Sequence, residues 1–180
     1  MKFNTMKLPT ITFFFLLIFT LNCADTPSSE VIDEDPGKDA PNFTLTSLDG
    51  NQVSLSGLKG KVVYIFFFGA NCPHCRDNGP VTENTIYAEF KDDQNFVALG
   101  LDTWNTSAGA VQNFKEATGI TYTLLLNARQ SLVDYYGNAS SYDRSVVISA
   151  EGKIAYQGTQ FVNQDADKVV DVIQEELGGL

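Results

Sequence analysis

Two cysteines separated by two residues, Cys72-Pro73-His74-Cys75, are the part of the sequence best suited to chemistry. Residues three apart on the first turn of a helix lie on one side, so the two sulfurs can meet as a disulfide. The first sulfur would lie over the helix N-terminus, where unpaired amides and the dipole favour a thiolate, the species that attacks disulfides. We predict a redox-active pair in which Cys72 attacks and the more buried Cys75 resolves.

The two residues between the cysteines suit this role. Pro73 fits the first helical turn, where its missing N–H needs no partner. His74, when protonated, would place a positive charge near the sulfur and lower the pKa of the Cys72 thiol.

Two other kinds of site use the same spacing. A structural zinc site needs four ligands, and the sequence has no second cysteine pair and only one histidine, His74, so we predict no metal. An inert structural disulfide is the other alternative. The position of the pair between a predicted strand and a predicted helix favours redox chemistry instead.

The elements that must position the pair lie on either side of it. Residues 62–68, Val-Val-Tyr-Ile-Phe-Phe-Phe, are apolar without alternation, which indicates a strand buried on both faces. A helix should run from the cysteines toward Phe90, with a kink at Pro80.

The remaining pattern predicts an α/β fold: one central mixed β-sheet flanked by helices, with an N-terminal β-hairpin. The predicted hairpin comprises residues 42–46 and 53–55, further strands residues 95–101, 121–126, 145–149 and 153–156, and helices residues 109–118, 131–136 and 165–177. The last helix should begin at Asp165 or Asp167.

The N-terminus has the layout of a signal peptide. Lys2 and Lys7 precede an apolar run over residues 11–21, which is too short to span a bilayer of about 30 Å. We predict a signal peptide over residues 1–22, a lipidated Cys23 with a flexible tether over residues 23–38, and one domain over residues 39–180. A secreted protein with an incidental Cys23 is the alternative, and an uncleaved anchor is disfavoured by its length.

The charge balance limits the partners. The 180 residues carry a net charge of −10, and without Lys2 and Lys7 the chain has 10 basic and 22 acidic side chains, about −12. Such a chain is repelled by nucleic-acid phosphates and has no polybasic patch for anionic lipid. We therefore expect no nucleic-acid partner, and membrane contact only through lipid on Cys23.

From Ala40 to about Leu177 the chain resembles the TlpA/ResA-like branch of the thioredoxin superfamily, adjacent to the AhpC/TSA redoxins. The matching stretches are Ala40-Pro41-Asn42-Phe43, Leu48-Asp49-Gly50, residues 58–63, Cys72-Pro73-His74-Cys75-Arg76, Pro80 and residues 151–154. Asn22-Cys23-Ala24 likewise resembles a relaxed lipobox of bacterial lipoproteins. The resemblance implies a thioredoxin-like fold for this α/β domain. It also implies extracytoplasmic disulfide exchange with protein thiols and a redox partner protein, without a cofactor, on a periplasm-facing or outer-membrane lipoprotein. Pro73-His74 resembles the inner dipeptide of the oxidant DsbA, whereas the branch as a whole suggests a reductant, so the direction stays open.

Several residues depart from that family's pattern. Asn71 replaces a tryptophan before the first cysteine, Asn78 a glutamate in the helix, and Phe66 a buried aspartate in the strand. No buried carboxylate is evident to take a proton from Cys75. His74, a water or an unplaced residue would have to do so.

The family's cis-proline loop falls on Tyr142, Asp143 and Arg144 in this chain. A cis bond before a non-proline residue costs about 2.5–4 kcal/mol, so we predict a trans Tyr142–Asp143 peptide. In the family this loop faces the cysteines and pairs with the substrate backbone. Arg144 would add positive charge near the sulfurs, or be a solvated loop residue.

Three rival functions are weaker. A peroxidase of the redoxin type would have Thr or Ser and Pro about where Phe68 and Tyr64 stand. A copper-binding module of the Sco type needs a distant histidine, which the chain lacks. The third rival is a domain that has lost its redox activity and serves as an interaction module. Asp143, at the family's cis-proline position, is the reason to consider it.

Overall fold

The computed structural model describes residues 1–2 and 37–180 of the chain. The predicted signal peptide beyond Lys2, the lipidated Cys23 and the tether up to residue 36 lie outside the described residues. The chain divides into two units, Met1–Ile32 and Asp33–Leu180, and the fold that follows is that of the second. None of the helices described in it has the length and apolar character needed to cross a membrane.

Seven strands and five helices follow one another along residues 44–178. The strands are β1 Thr44–Thr46, β2 Gln52–Ser54, β3 Val62–Phe68, β4 Phe96–Asp102, β5 Thr123–Leu125, β6 Arg144–Ile148 and β7 Ile154–Gln157. The helices are α1 Pro73–Val81, α2 Ala88–Phe90, α3 Ala108–Thr118, α4 Arg129–Tyr136 and α5 Val162–Gly178.

Five strands form a mixed sheet in the order β5-β4-β3-β6-β7. The first three are parallel to one another, and β6 and β7 run antiparallel to their neighbours. Strands β1 and β2 pair as a separate antiparallel hairpin. The predicted α/β, thioredoxin-like architecture with a leading hairpin is confirmed.

The central strand β3 supplies side chains to two hydrophobic cores, one on each face of the sheet. Tyr64, Phe66 and Phe68 point to one core, which helices α3 and α5 complete with residues such as Phe114 and Ile173. The alternate residues of β3 point to the other core, which α4 covers. Every residue of β3 is buried, and this explains why its sequence is apolar without alternation.

The helical segment after β3 changes its winding part of the way along. Helix α1 contains Pro80, which cannot donate a backbone hydrogen bond. Two residues later the chain enters a π-helical segment, Thr82–Tyr87, which leads into α2. The irregularity expected at Pro80 therefore takes the form of a π-helical stretch.

Two details at the ends of the domain refine the sequence prediction. Helix α5 begins at Val162, so neither Asp165 nor Asp167 starts it, and Asp165 is instead buried inside its first turn. The backbone of Gly37 and Lys38 already hydrogen-bonds with Ile154, two residues ahead of the predicted domain start.

Candidate active site at the start of helix α1

Cys72 is the N-cap residue of α1. Its Sγ accepts a hydrogen bond from the Cys75 backbone N–H at 3.2 Å, and Pro73 follows in the first turn. This amide is one of the helix-terminal donors that stabilise a negative charge. Cys72 is 2% exposed, Cys75 is fully buried, and both are free thiols. The predicted placement of the pair between a buried strand and a helix is confirmed.

Cys75 is held as a neutral thiol. Burial raises the pKa of Cys75 well above its ordinary value, and the hydrogen bond between its thiol and Cys72 raises it further. A hydrogen bond from the Gly69 N–H, with an N···Sγ distance of 3.5 Å, acts in the opposite direction, while the negative charge of Asp143 adds to the increase. The two sulfurs therefore interact directly, and Cys75 must lose a proton before it can attack a disulfide.

The loop between β3 and α1 is fixed by residues that follow β4. The carboxylate of Asp102 accepts hydrogen bonds from Ala70 N–H at 3.2 Å and from Thr106 at 2.7 and 2.8 Å. The indole of Trp104 covers Gly69 so closely that a Cβ there would lie 2.5 Å from the ring. Sequence analysis did not identify Asp102 and Trp104, although their position at the carboxyl end of a parallel strand is where α/β sites form.

A buried carboxylate lies beside the cysteines, contrary to the expectation that none is present. Asp143 is fully buried, and its Oδ2 accepts a hydrogen bond from Asn78 Nδ2 at 2.7 Å. Burial raises the pKa of Asp143, and the Asn78 hydrogen bond and the nearby charges of Arg144 and His74 partly offset the increase. Two departures from the family pattern, at residues 78 and 143, thus contact each other.

The backbone at Asp143 has an uncommon conformation. No peptide bond in residues 37–180 is cis, so the predicted trans Tyr142–Asp143 bond is confirmed. Asp143 has φ of +60°, in the left-handed region that Asp and Asn adopt more readily than most residues. Its N–H donates to the carbonyl oxygen of Phe67 at 2.7 Å, which attaches the loop to the end of β3.

The exposed side of the site carries aromatic and basic groups. The exposed His74 ring stacks on Phe161, with centroids 5.5 Å apart, and the Arg144 guanidinium lies 4.7 Å from the centroid of the same Phe161 ring. Arg144 is also anchored by hydrogen bonds to the carbonyl oxygens of Tyr142 and Asp143. Phe161, which is 37% exposed, was not predicted as a site residue, because nothing in the local sequence at the start of α5 marks it.

The half-buried Tyr142 packs edge-on against Trp104, with ring centroids 5.2 Å apart. The predicted substrate loop and the loop that fixes Gly69 therefore contact each other beside the cysteines. Within the described parts of the chain, no three His, Cys, Asp or Glu side chains are grouped so as to hold a metal ion.

Comparison with known proteins agrees with this geometry. Residues 35–173 match the Redoxin family. The thiol-disulfide oxidoreductase ResA of Bacillus subtilis is 33% identical over 137 residues, which cover 76% of this chain and 73% of ResA. ResA of Bacillus thuringiensis is 32% identical over 121 residues, which cover 67% and 68% of the two chains.

Solved structures extend the likeness to the whole domain. A candidate protein disulfide isomerase from Bacteroides thetaiotaomicron is 34% identical with a TM-score of 0.71, over 79% of this chain and 90% of that one. A candidate thiol:disulfide interchange protein DsbE from Chlorobium tepidum is 26% identical with a TM-score of 0.68, over 80% and 99% of the two chains.

Proposed function

Since this chain belongs to the Redoxin family and is a thiol–disulfide oxidoreductase, we propose that it exchanges disulfides with protein substrates through Cys72 and Cys75. The observation that carries the proposal is the position of Cys72 Sγ at the start of α1, where it accepts the Cys75 N–H and interacts with the Cys75 thiol. This arrangement supports an attacking thiolate and a resolving thiol.

The exchange takes place in two steps. The Cys72 thiolate attacks a substrate disulfide, forming a mixed disulfide and releasing the other substrate sulfur as a thiolate. Cys75 then loses its proton and attacks the Cys72 sulfur, which forms the Cys72–Cys75 disulfide and releases the reduced substrate. The same steps in reverse oxidise a substrate dithiol, and a redox partner protein restores the starting state.

The surface next to Cys72 is suited to a polypeptide. His74 and Phe161 form an exposed stacked pair, and Tyr142 and Trp104 are partly exposed beside them. Aromatic groups of this kind provide large contact areas at a protein interface. Their position supports the assignment of residues 142–144 and Phe161 to substrate docking.

The reaction takes place outside the cytoplasm in this proposal. The basic and then apolar pattern of residues 1–22 supports export, and Cys23 directly behind it supports a lipid anchor on a periplasm-facing or outer membrane. The residues from 24 onward would serve as the tether between the lipid and the domain.

Trapping of the mixed disulfide tests the two roles. Incubated with a disulfide-containing protein such as insulin, the Cys75→Ser variant should accumulate a covalent complex that thiol reductant dissolves. The Cys72→Ser variant should form none, because the remaining thiol is buried and neutral. Equal trapping by both variants, or by neither, would contradict the assignment.

A further inference from the structure

Asp143 combines three features that are unusual for a carboxylate. It is fully buried, it adopts a left-handed backbone conformation, and its Oδ1 has no hydrogen-bond partner. A buried polar atom without a partner costs free energy, about 1–3 kcal/mol for an ordinary group and more for a charged one. A carboxylate kept at such a position requires an explanation beyond packing.

The contacts of Asp143 place it at the same end of β3 as Cys75. The Asp143 N–H donates to the Phe67 carbonyl oxygen, and two residues later the Gly69 N–H donates to Cys75 Sγ. Asn78, which holds Asp143 Oδ2, lies three residues after Cys75 and therefore on the same face of α1. The charge of Asp143 also acts directly on the Cys75 thiol.

Cys75 has to lose a proton at a buried position. Both cysteines are buried, and the side chain of His74, the chain's only histidine, is turned outward against Phe161. The negative charge of the Asp143 carboxylate acts on Cys75 and raises the pKa of its thiol. General bases of this kind act within hydrogen-bond reach of the proton, directly or through one water.

We infer that Asp143 is the proton acceptor for Cys75 in the step that resolves the mixed disulfide, and that Asn78 positions it. The inference rests on the proposed function of the cysteine pair. The Cys75 S–H proton passes to the Asp143 carboxylate, and the resulting thiolate attacks Cys72 Sγ. The Cys72–Cys75 bond forms, the bond from Cys72 to the substrate sulfur breaks, and the substrate leaves as a thiolate that takes up a proton.

The titratable or charged groups that interact with Asp143 come from each element packed against it. They are His74 and Cys75 on α1, Tyr64 on β3, Arg144 on β6 and Asp165 on α5. His74 and Arg144 lower the pKa of Asp143 and so favour the carboxylate that accepts a proton. Asp143 raises the pKa of the other three groups.

Reduction of dithiobis(nitrobenzoate) by the reduced protein separates the two steps. Attack by Cys72 releases one coloured thiolate in a first phase, and attack by Cys75 releases the second thiolate in a second phase. In Asp143→Asn the second phase should slow by about 100-fold or more near pH 7, while the first stays within a few-fold. In Asp143→Asn the rate of the second phase should then rise tenfold per pH unit, whereas the wild-type rate levels off once Asp143 is ionised.

Matched variants exclude a merely structural effect. Asn tolerates the left-handed backbone at residue 143, and Asp143→Gly provides a second variant that keeps this conformation. Asp165→Asn removes the other carboxylate in residues 37–180 that has a buried, unpaired oxygen. Because the charges of Asp143 and Asp165 oppose each other, this variant should reach the plateau of the second phase at a lower pH than wild type, without the loss of rate expected for Asp143→Asn.

The outcomes distinguish the two proposals. An unchanged second phase with an unchanged pH profile in Asp143→Asn would overturn the inference alone. If the wild-type protein releases no second thiolate at any pH, the proposed function of Cys72 and Cys75 fails instead.

Discussion

Burial determines the protonation of the groups around the cysteines. Cys75, Asp143 and Asp165 each have a raised pKa, and in each case the largest cause is removal from water. Removal from water disfavours the charged form of thiols and carboxylates alike. The Cys72 sulfur lies at the helix start and accepts the Cys75 N–H. The proposed division of the two sulfurs into an attacking and a resolving thiol rests on this difference in environment.

The stability of the protein should depend on the ionisation of Asp165. Burial raises the pKa of Asp165 to about 6, against an ordinary value of 3.8, and Tyr156 OH donates to its Oδ2 at 2.9 Å. Between these pH values the folded state binds more protons than the unfolded state, so stability is lost as pH rises through that window. Asp165→Asn removes this loss. Its unfolding free energy relative to wild type should rise by up to about 3 kcal/mol between pH 3.5 and 7.

Denaturant unfolding at the two pH values measures this difference. Asp92→Asn, a change of an exposed carboxylate after α2, should stay within about 0.5 kcal/mol of wild type at both. A difference between Asp165→Asn and wild type that is independent of pH would show that Asp165 is not the group responsible.

At the scale of elements, the loop that joins β3 to α1 determines where the sulfurs lie. Gly69 donates to Cys75 Sγ and lies under the Trp104 indole, and Asp102 holds Ala70. A side chain at residue 69 would have to displace the indole or the loop. The residues at the end of β4 therefore position the cysteines through the loop that joins β3 to α1.

Gly69→Ala tests this contact. We expect a loss of about 1–3 kcal/mol in unfolding free energy, because a Cβ would lie 2.5 Å from the Trp104 ring. Trp104 is the only tryptophan, so a shift in fluorescence reports its displacement. Gly109→Ala is the matched control: it lies in α3, where a Cβ would meet only Ser107 Oγ at 4.0 Å, and it should gain up to about 1 kcal/mol. Equal effects of the two variants would contradict the packing argument.

Local sequence patterns predicted the strands and helices. They did not predict those parts of the site that depend on contacts between residues far apart in the sequence. The apolar run of β3 and the cysteine spacing are visible in a few consecutive residues, so the strand and the position of the two cysteines at the start of a helix were predicted correctly. Asn78 and Asp143 are 65 residues apart, and neither residue alone predicts the hydrogen bond between them. Phe161 joins the site because α5 begins three residues earlier than its charge pattern suggests.

At the scale of the whole molecule, the redox domain and the predicted anchor are separate parts of the chain. We expect Cys23→Ser to abolish recovery of the protein in the membrane fraction while disulfide exchange by the domain is unchanged. Fractionation of cells expressing the two forms, with the insulin assay on each, measures both properties. Wild-type and variant protein found equally in the membrane fraction would contradict lipidation at Cys23.

If Cys72 and Cys75 form a reversible redox couple in the folded domain, redox titration in glutathione buffers will detect it. We expect one two-electron transition, lost in Cys72→Ser, in which the oxidised form carries a Cys72–Cys75 disulfide. Its midpoint should lie between about −270 and −120 mV, the range from thioredoxin to DsbA. A pair that stays oxidised below about −300 mV, as structural disulfides do, or that never forms an internal disulfide, would show that Cys72 and Cys75 are not a working redox couple.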